Sequence, residues 1–378
     1  MRIAIIGGGI GGLCTAITLQ ALGYDTKVFE AATEFRPVGA GIGVGSNAMQ
    51  VLMEIGVGAD IAKNGHILQR QVFLNHKGKE LNSIPFLKLK ALFGQENITI
   101  HRADLHAAFY HSLKPNTILF NKKCLSFREE KNKVFVYFQD QTEIEVDVLI
   151  AADGIHSPIR QQLIPSSTPR YAGYTCWRGI TKNNGRVDAS SSTEIWSTCG
   201  RFGMAPMKDG KIYWFACINS KEANPIYKDL KPEDIANLFN HLPHDVPDII
   251  RTTEPSQILH HDIYDINPLK KFVYGRVALL GDAAHATTPN MGQGAGQAIE
   301  DAIVLAKAFQ QNIDWKKALQ SYEQQRLART TKVIKLSRQI GAIAQIQNAP
   351  ITALRNFLFP FIPTSALLWR LKFLYDIK

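Results

Sequence analysis

Residues 2–12 read RIAIIGGGIGG, from Arg2 to Gly12. A short apolar strand, of the kind buried in a parallel sheet, runs directly into a glycine loop. The GxGxxG glycines are Gly7, Gly9 and Gly12. A helix follows with Leu13, Ala16, Ile17, Leu19 and Leu22, and it stops at Gly23. A second strand, Thr26-Lys27-Val28-Phe29, ends in Glu30, 18 residues past Gly12. GxGxxG alone is a weak signal. Between a strand and a helix, with an acid at this distance, it specifies a dinucleotide-binding unit. The glycines permit a tight turn and close approach of a pyrophosphate, and Glu30 is placed for the ribose hydroxyls of an adenosine. A carboxylate there repels a 2′-phosphate, so this site does not suit NADP.

The same logic recurs at residues 275–301, GRVALLGDAAHATTPNMGQGAGQAIED. A strand over Val277–Leu280 ends at Gly281-Asp282. A loop then runs through Pro289 to Gly292, Gly294, Ala295 and Gly296, and a helix begins with Ile299, Ala302, Ile303 and Ala306 on one face. Glycines let backbone approach a flat or charged ligand, and a helix N-terminus favours negative charge. Asp282, at a strand's carboxyl end, is placed to bind sugar-like hydroxyls. A cap and a turn would need one or two glycines; three in five residues behind an acid argue for a ligand.

Between these stretches the chain departs from a simple dehydrogenase. A second glycine-rich loop, Arg36-Pro37-Val38-Gly39-Ala40-Gly41-Ile42-Gly43, precedes a helix from Ser46-Asn47. Arg36 and Gly43 are its phosphate- or ribityl-contact candidates. Residues 70–100 read as a strand pair and a basic, greasy excursion over residues 86–93. Arg102 opens a helix, where a cation is unfavourable unless an anion is near. Residues 118–150 alternate as antiparallel strands and lead into Asp153-Gly154-Ile155-His156-Ser157-Pro158-Ile159-Arg160, a second acidic strand end. Glu30, Asp153 and Asp282 together suit an extended dinucleotide, with room for a second, transient one. From residue 168 to 266 the pattern is rich in strands. It reads as an inserted antiparallel sheet forming a substrate pocket, with Arg178, Arg201, Tyr213 and Trp214 as candidates.

The chain has 378 residues, 45% hydrophobic and 20% charged, with a net charge of +10. Such a balance favours anionic partners: nucleotide cofactors, carboxylated substrates or membrane surfaces. No nucleic-acid motif appears, which argues against nucleic acid. The five cysteines are scattered and odd in number, without CxxC spacing. That pattern predicts reduced thiols, a cytoplasmic location and no metal site. No uninterrupted apolar run is long enough to span a membrane. The tail from Lys332 carries seven basic residues against one acidic, Asp376. On a helical wheel, residues 366–378 are apolar on two sides, which predicts a lid docked on protein, with membrane contact secondary.

GGGIGG with Glu30, ADGIHSPIR at 152–160 and GDAAHATTPNMGQGAGQAIEDA at 281–302 resemble, in the same order, the FAD-dependent aromatic hydroxylases. These are the single-component flavoprotein monooxygenases related to para-hydroxybenzoate hydroxylase. The stretch YAGYTCWRG at 171–179 is most similar to the branch with urate hydroxylase, salicylate hydroxylase and zeaxanthin epoxidase. The resemblance implies an α/β fold: a Rossmann-like FAD-binding domain (residues 1–70, 100–167 and 267–325), an inserted antiparallel-sheet substrate domain (71–99 and 168–266) and a C-terminal helical segment (326–378). It implies an enzyme that uses NAD(P)H and O2 to hydroxylate or epoxidise an aromatic or conjugated small molecule through a C4a-hydroperoxyflavin. By the resemblance, Gly7, Gly9 and Gly12 hold the FAD pyrophosphate and Glu30 the ribose, while Arg102 contacts the pyrophosphate or ribityl region. Asp153 belongs to the loop shared with the nicotinamide nucleotide, Asp282 binds the ribityl chain, and Pro289 with Gly292 to Gly296 lies beside the flavin ring. Arg201 and Tyr213 match the Arg and Tyr that meet the substrate, with Tyr213 as base or relay. That branch tends to carry a neutral amide where this chain has Arg178, a departure that points away from urate itself; Arg178 and Arg201 in a mainly apolar pocket predict an anionic ring compound. A reductase of the same fold is the competing reading. A halogenase is disfavoured by the missing Trp-x-Trp-x-Ile-Pro, and a membrane-surface protein with a vestigial nucleotide fold would bind no flavin.

Overall fold

The computed structural model describes residues 1–376 apart from 36–38, 186 and 244. Its central sheet runs in the order Val273–Tyr274, Val277–Leu279, Val148–Ala151, Arg2–Ile6, Asp25–Phe29, Ile118–Leu119. All neighbours are parallel except the first pair. Ile6 pairs with Ala151, and Ala151 with Leu279, so three strands end level with one another. The loops that follow them therefore open into one crevice, the usual ligand position in such sheets. At Gly12 the packing leaves no choice, since an added Cβ would lie 2.0 Å from the Gly7 carbonyl oxygen.

One expectation fails here. The run 143–150 is not continuous antiparallel strand. Glu143–Val146 pairs antiparallel with Lys133–Phe138, whereas Val148–Ala151 joins the central sheet beside Arg2–Ile6. All four residues Val148–Ala151 are buried, as a strand covered on both faces requires. Asp147 marks the switch, accepting from the Arg2 backbone N–H at 2.7 Å.

A second, seven-stranded sheet contains Arg170–Lys182, Lys211–Asn219, Arg201–Met207 and Ser191–Trp196 next to one another, with Arg70–Asn75 and Glu80–Pro85 at one edge. Alternation divides its residues. Trp177, Phe202, Trp214 and Ile212 point to a core closed by the helices Pro232–Leu238 and Asp245–Arg251. Tyr174, Cys176 and Arg178 belong to the opposite face, paired with Asn219, Cys217 and Phe215, and Tyr213 lies one step further along that face opposite Ile180. The greasy excursion proves to be a helix, Phe86–Phe93, that buries Leu89.

The helix Trp315–Ala344 runs unbroken across residues 325 and 326. Beyond it lie the helices Ala349–Leu358 and Thr364–Tyr375. The last is docked, with Leu374 and Tyr375 buried against Leu89 and Val333. Arg329 fixes its end by donating to the carbonyls of Phe373 and Leu374 and to the buried Glu300 carboxylate at 2.7 Å. Basic groups favour helix C-termini because the last carbonyls lack partners. Arg329→Met should therefore lower unfolding stability by about 2 kcal/mol, the worth of hydrogen bonds to charged groups, and free the terminal helix for proteolysis. Denaturant unfolding and limited proteolysis check this; an unchanged midpoint and digest would contradict it.

Candidate active site

The crevice begins at the first glycine loop. Glu30 accepts from the Gly8 backbone N–H at 2.6 Å and from Ala32 at 2.8 Å, which fixes its carboxylate at the strand end. A cavity of about 430 Å³ lies here, lined by Gly8, Gly9, Glu30, Phe35 and His106 among others. His106 bonds the Gly8 carbonyl oxygen at 2.7 Å and packs edge-on against Phe35. Burial lowers its pKa, opposed by that carbonyl. Among the described residues, chain neighbours aside, nothing lies within 4 Å of where a Gly9 Cβ would be. Arg36 lies outside the described residues. Gly43 is exposed with open space beside it, so packing does not dictate glycine there. Gly41, two residues earlier, is forced: a Cβ would stand 2.4 Å from Tyr213 Cβ. This contact sets the second sheet directly on the strand Gly41–Val44.

Deeper in, Arg160 is fully buried and donates to the carbonyls of Ile155 and Ala283, the latter at 3.2 Å. It ties the Asp153 loop to the Asp282 turn, and its charge lowers the pKa of both acids. Asp153 nevertheless sits at about 6, pushed up by burial. Neither of its oxygens has a hydrogen bond of good geometry, although Ser157 and the Ile159 backbone are near enough to pull the value partly back. Asp282 is an exposed residue in dense protein surroundings that raise its pKa, against the pull of His285, Arg102 and Arg160. Arg102 is exposed and opens the helix Arg102–His111, with its stem against Gly39. Across the crevice, Pro289–Met291 is a short turn, Gly292 is left-handed at φ 61°, and Gly294, Ala295 and Gly296 open the helix Gly294–Gln311.

The polar sheet face closes the far side. Arg201 donates to Glu194 at 2.9 Å and to Asn290, and its guanidinium lies over the rings of Tyr174 and Phe215. Only its Nε lacks a partner. Asn290 also accepts from the Tyr174 hydroxyl at 3.1 Å and donates to the Ser337 carbonyl at 2.9 Å. Arg178 differs: among the described residues no carboxylate pairs with it, and its neighbours are Cys176 and Tyr213. A hydrogen bond from Cys217, then the charges of Arg178 and Arg201, hold the Cys176 thiol low against burial, while Cys217 is pushed high. Burial also raises the Tyr213 phenol. The Arg178 charge opposes that rise. A further cavity of about 570 Å³, lined by Tyr174, Asn290, Arg338 and Gly341 among others, lies behind Tyr174 and Asn290 and does not include Arg178, Arg201 or Tyr213.

The FAD binding domain family matches residues 1–337. The chain is 37% identical to aurachin C monooxygenase/isomerase of Stigmatella aurantiaca over 350 residues, covering 92% of this chain and 91% of that protein. It belongs to the FAD-dependent monooxygenases. An FAD-dependent urate hydroxylase of Klebsiella pneumoniae is 32% identical over 346 residues, 90% of this chain and 89% of that protein. The crystal structure of Klebsiella pneumoniae HpxO complexed with FAD and uric acid superposes with a TM-score of 0.93 at 28% identity, covering 99% of this chain and 96% of that one. FAD is the cofactor, and NAD(P)H is the usual electron donor in this family.

The residues present fit FAD: an open glycine cradle, an adenosine-sized cavity beside Glu30 and an unsatisfied Asp153 carboxyl in one crevice. Arg160, His106, Glu194 and Asn290 were not singled out from sequence. Arg160 lies in the quoted His-Ser-Pro-x-Arg run, the one available signal; the others have none.

Asp153 yields a test with a definite sign. Its folded pKa of about 6 exceeds the ordinary aspartate value of 3.8, so its protonated form stabilises the fold; that contribution is complete below 3.8 and lost as pH rises through 6. At pH 7.5 the ionised group costs up to about 3 kcal/mol. Asp153→Asn should raise the melting temperature of the FAD-free protein at pH 7.5, by roughly half as much at pH 5. A melting temperature unchanged at both pH values would contradict this.

Proposed function

We propose that the monooxygenase acts on an anionic aromatic or conjugated ring compound, bound between the flavin ring and the sheet face carrying Arg178, Tyr213 and Arg201. The observation that carries this reading is the contrast between the two arginines. Arg201 already has Glu194 as its counter-ion, 2.9 Å away. Arg178 faces the same site beside two thiols, a phenol and the His261 ring, with no carboxylate paired to it among the described residues. A desolvated guanidinium without a carboxylate favours an anionic ligand.

In this reading Arg178 anchors the substrate anion and Tyr213 donates a hydroxyl hydrogen bond. Arg201 is a positioning residue that holds Asn290, and so the loop from Pro289 to Gly292, at a fixed height. On the cofactor side, Gly7, Gly9 and Gly12 carry the pyrophosphate, Glu30 the ribose, Arg102 the phosphates or ribityl chain and Asp282 the ribityl hydroxyls. Asp153 serves the loop shared with the nicotinamide nucleotide. Bound FAD supplies the redox chemistry and O2 activation. The positive end of Gly294–Gln311 favours the negative charge that reduction leaves. The division of labour follows: residues 1–70, 100–167 and 267–325 bind FAD, 71–99 and 168–266 bind substrate, and the C-terminal helices brace both. Five unpaired cysteines support a cytoplasmic enzyme. Among the described residues no single helix is long and apolar enough to cross a membrane.

Arg178→Met should raise KM for carboxylated or enolate ring compounds by about 10- to 100-fold, as expected for a charge-assisted hydrogen bond. FAD content and the KM for neutral analogues should hold. Substrate-stimulated NAD(P)H oxidation measures this, and an equal change for anionic and neutral compounds would sink the proposal.

A further inference from the structure

The helix Ala349–Leu358 carries its polarity inside out. Thr352 is buried, its hydroxyl donating to the Ile346 carbonyl at 3.0 Å. Arg355 is half-buried, 5.0 Å over the Trp196 ring, and donates to the Ile343 carbonyl at 2.9 Å. Phe359, in the turn that follows, stacks on Trp196. The residues facing solvent are instead Ile351, Leu354, Phe357, Leu358 and Phe361, the last 70% exposed. At 3.6 residues per turn the four on the helix fall within an arc of about 120°, and Phe361 follows in the next turn. Rotating the helix to bury them would break the inward hydrogen bonds. On the next helix Trp369 is 77% exposed. Contiguous exposed apolar surface of this kind marks an interaction site.

We propose that this face docks the enzyme on the surface of an anionic lipid bilayer. Charge selects the occupant. Residues 349–375 contain no Asp or Glu, and Arg370 and Lys372 are exposed among the apolar side chains. The helix Phe86–Phe93, which adjoins the terminal helix, adds exposed Leu87 and Leu92 with Lys88, while its Lys90 is paired with Glu96. A second copy of the chain would bring the same cations onto one another, because a twofold interface pairs a surface with itself. A bilayer offers hydrocarbon and anionic headgroups together, and apolar-plus-basic helices lie at that boundary. The helices Ala349–Phe361 and Thr364–Tyr375 are bent by 90° at their junction. Arg329 and the buried Tyr375 anchor the second to the body, so the pair lies along the membrane rather than through it. The sequence expectation of a docked tail holds for the side of the terminal helix carrying Leu374 and Tyr375 but not for Trp369, which is exposed; most of the exposed apolar face lies one helix earlier.

The test is flotation of the full-length, FAD-loaded enzyme with vesicles of phosphatidylcholine and phosphatidylglycerol, and with phosphatidylcholine alone. Wild type should float with the anionic vesicles and detach in high salt. The double variant Phe357→Ser/Phe361→Ser should lose at least about tenfold of the bound fraction, with unchanged FAD content and melting temperature, since both side chains are exposed. Arg370→Glu/Lys372→Glu should weaken binding to anionic vesicles as well. No flotation of wild type, or equal flotation of the Phe double variant, overturns the proposal. So does a wild-type dimer in light scattering that the Phe double variant converts to monomer, which assigns the face to a second copy.

Discussion

Two adjacent buried acids, Glu300 and Asp301, hold five elements together. Asp301 accepts from the Gly281 backbone N–H at 2.9 Å, from Arg326 Nε at 2.6 Å and pairs with His285 at 2.5 Å. Glu300 accepts from Arg326, Arg329, Asn47 and Gln297. Burial would push the Asp301 carboxyl up, but His285 and Arg326 outweigh it and hold it below its ordinary value. Such a cluster is weak evidence for extra stability, because desolvation offsets much of the attraction. Its consequence is geometric: the turn bearing Asp282, the helix behind Gly292 and the docked terminal helix occupy fixed relative positions. A single missing partner leaves a buried charge, which is the costly case.

That rigidity lets the second sheet act as the ceiling of the crevice. One face of its strands is a tryptophan-rich core and the other carries the polar groups, so the same period-two pattern that stabilises the sheet also aims Arg178 and Tyr213 inward. Two contacts set the height of the ceiling. Gly41 admits the Tyr213 side chain, and Asn290 links Arg201 and Tyr174 to the Ser337 carbonyl. The site is thus an interface between two sheets, with neither complete alone.

The cofactor side was legible in the sequence because its signals are local. A strand, GxGxxG, a helix and Glu30 occupy 29 consecutive residues, from 2 to 30, and Asp153 and Asp282 each end an apolar run. The substrate side was legible in composition but not in pairing. Arg201 looked like an anion receptor; its ties to Glu194, seven residues away across a hairpin, and to Asn290, 89 residues away, depend on register and loop docking. Tyr213 was legible as base or relay, but not its full burial, which raises its phenol. The strand switch at Asp147 was hidden because apolar residues continue on both sides of it, and only the partner strand distinguishes the two halves. The outward apolar face of Ala349–Leu358 was equally hidden, since the helical period shows that a stripe exists and not which way it points.

The central claim, that this crevice inserts oxygen into an organic ring, is tested most directly with isotopically labelled O2. The FAD-loaded enzyme would be turned over with NAD(P)H and any ring compound that accelerates its oxidation, and the products weighed. One labelled oxygen atom per product molecule, formed in step with NAD(P)H consumed, is the predicted result. Ring compounds recovered unchanged, with all the label in hydrogen peroxide and water, would contradict the account.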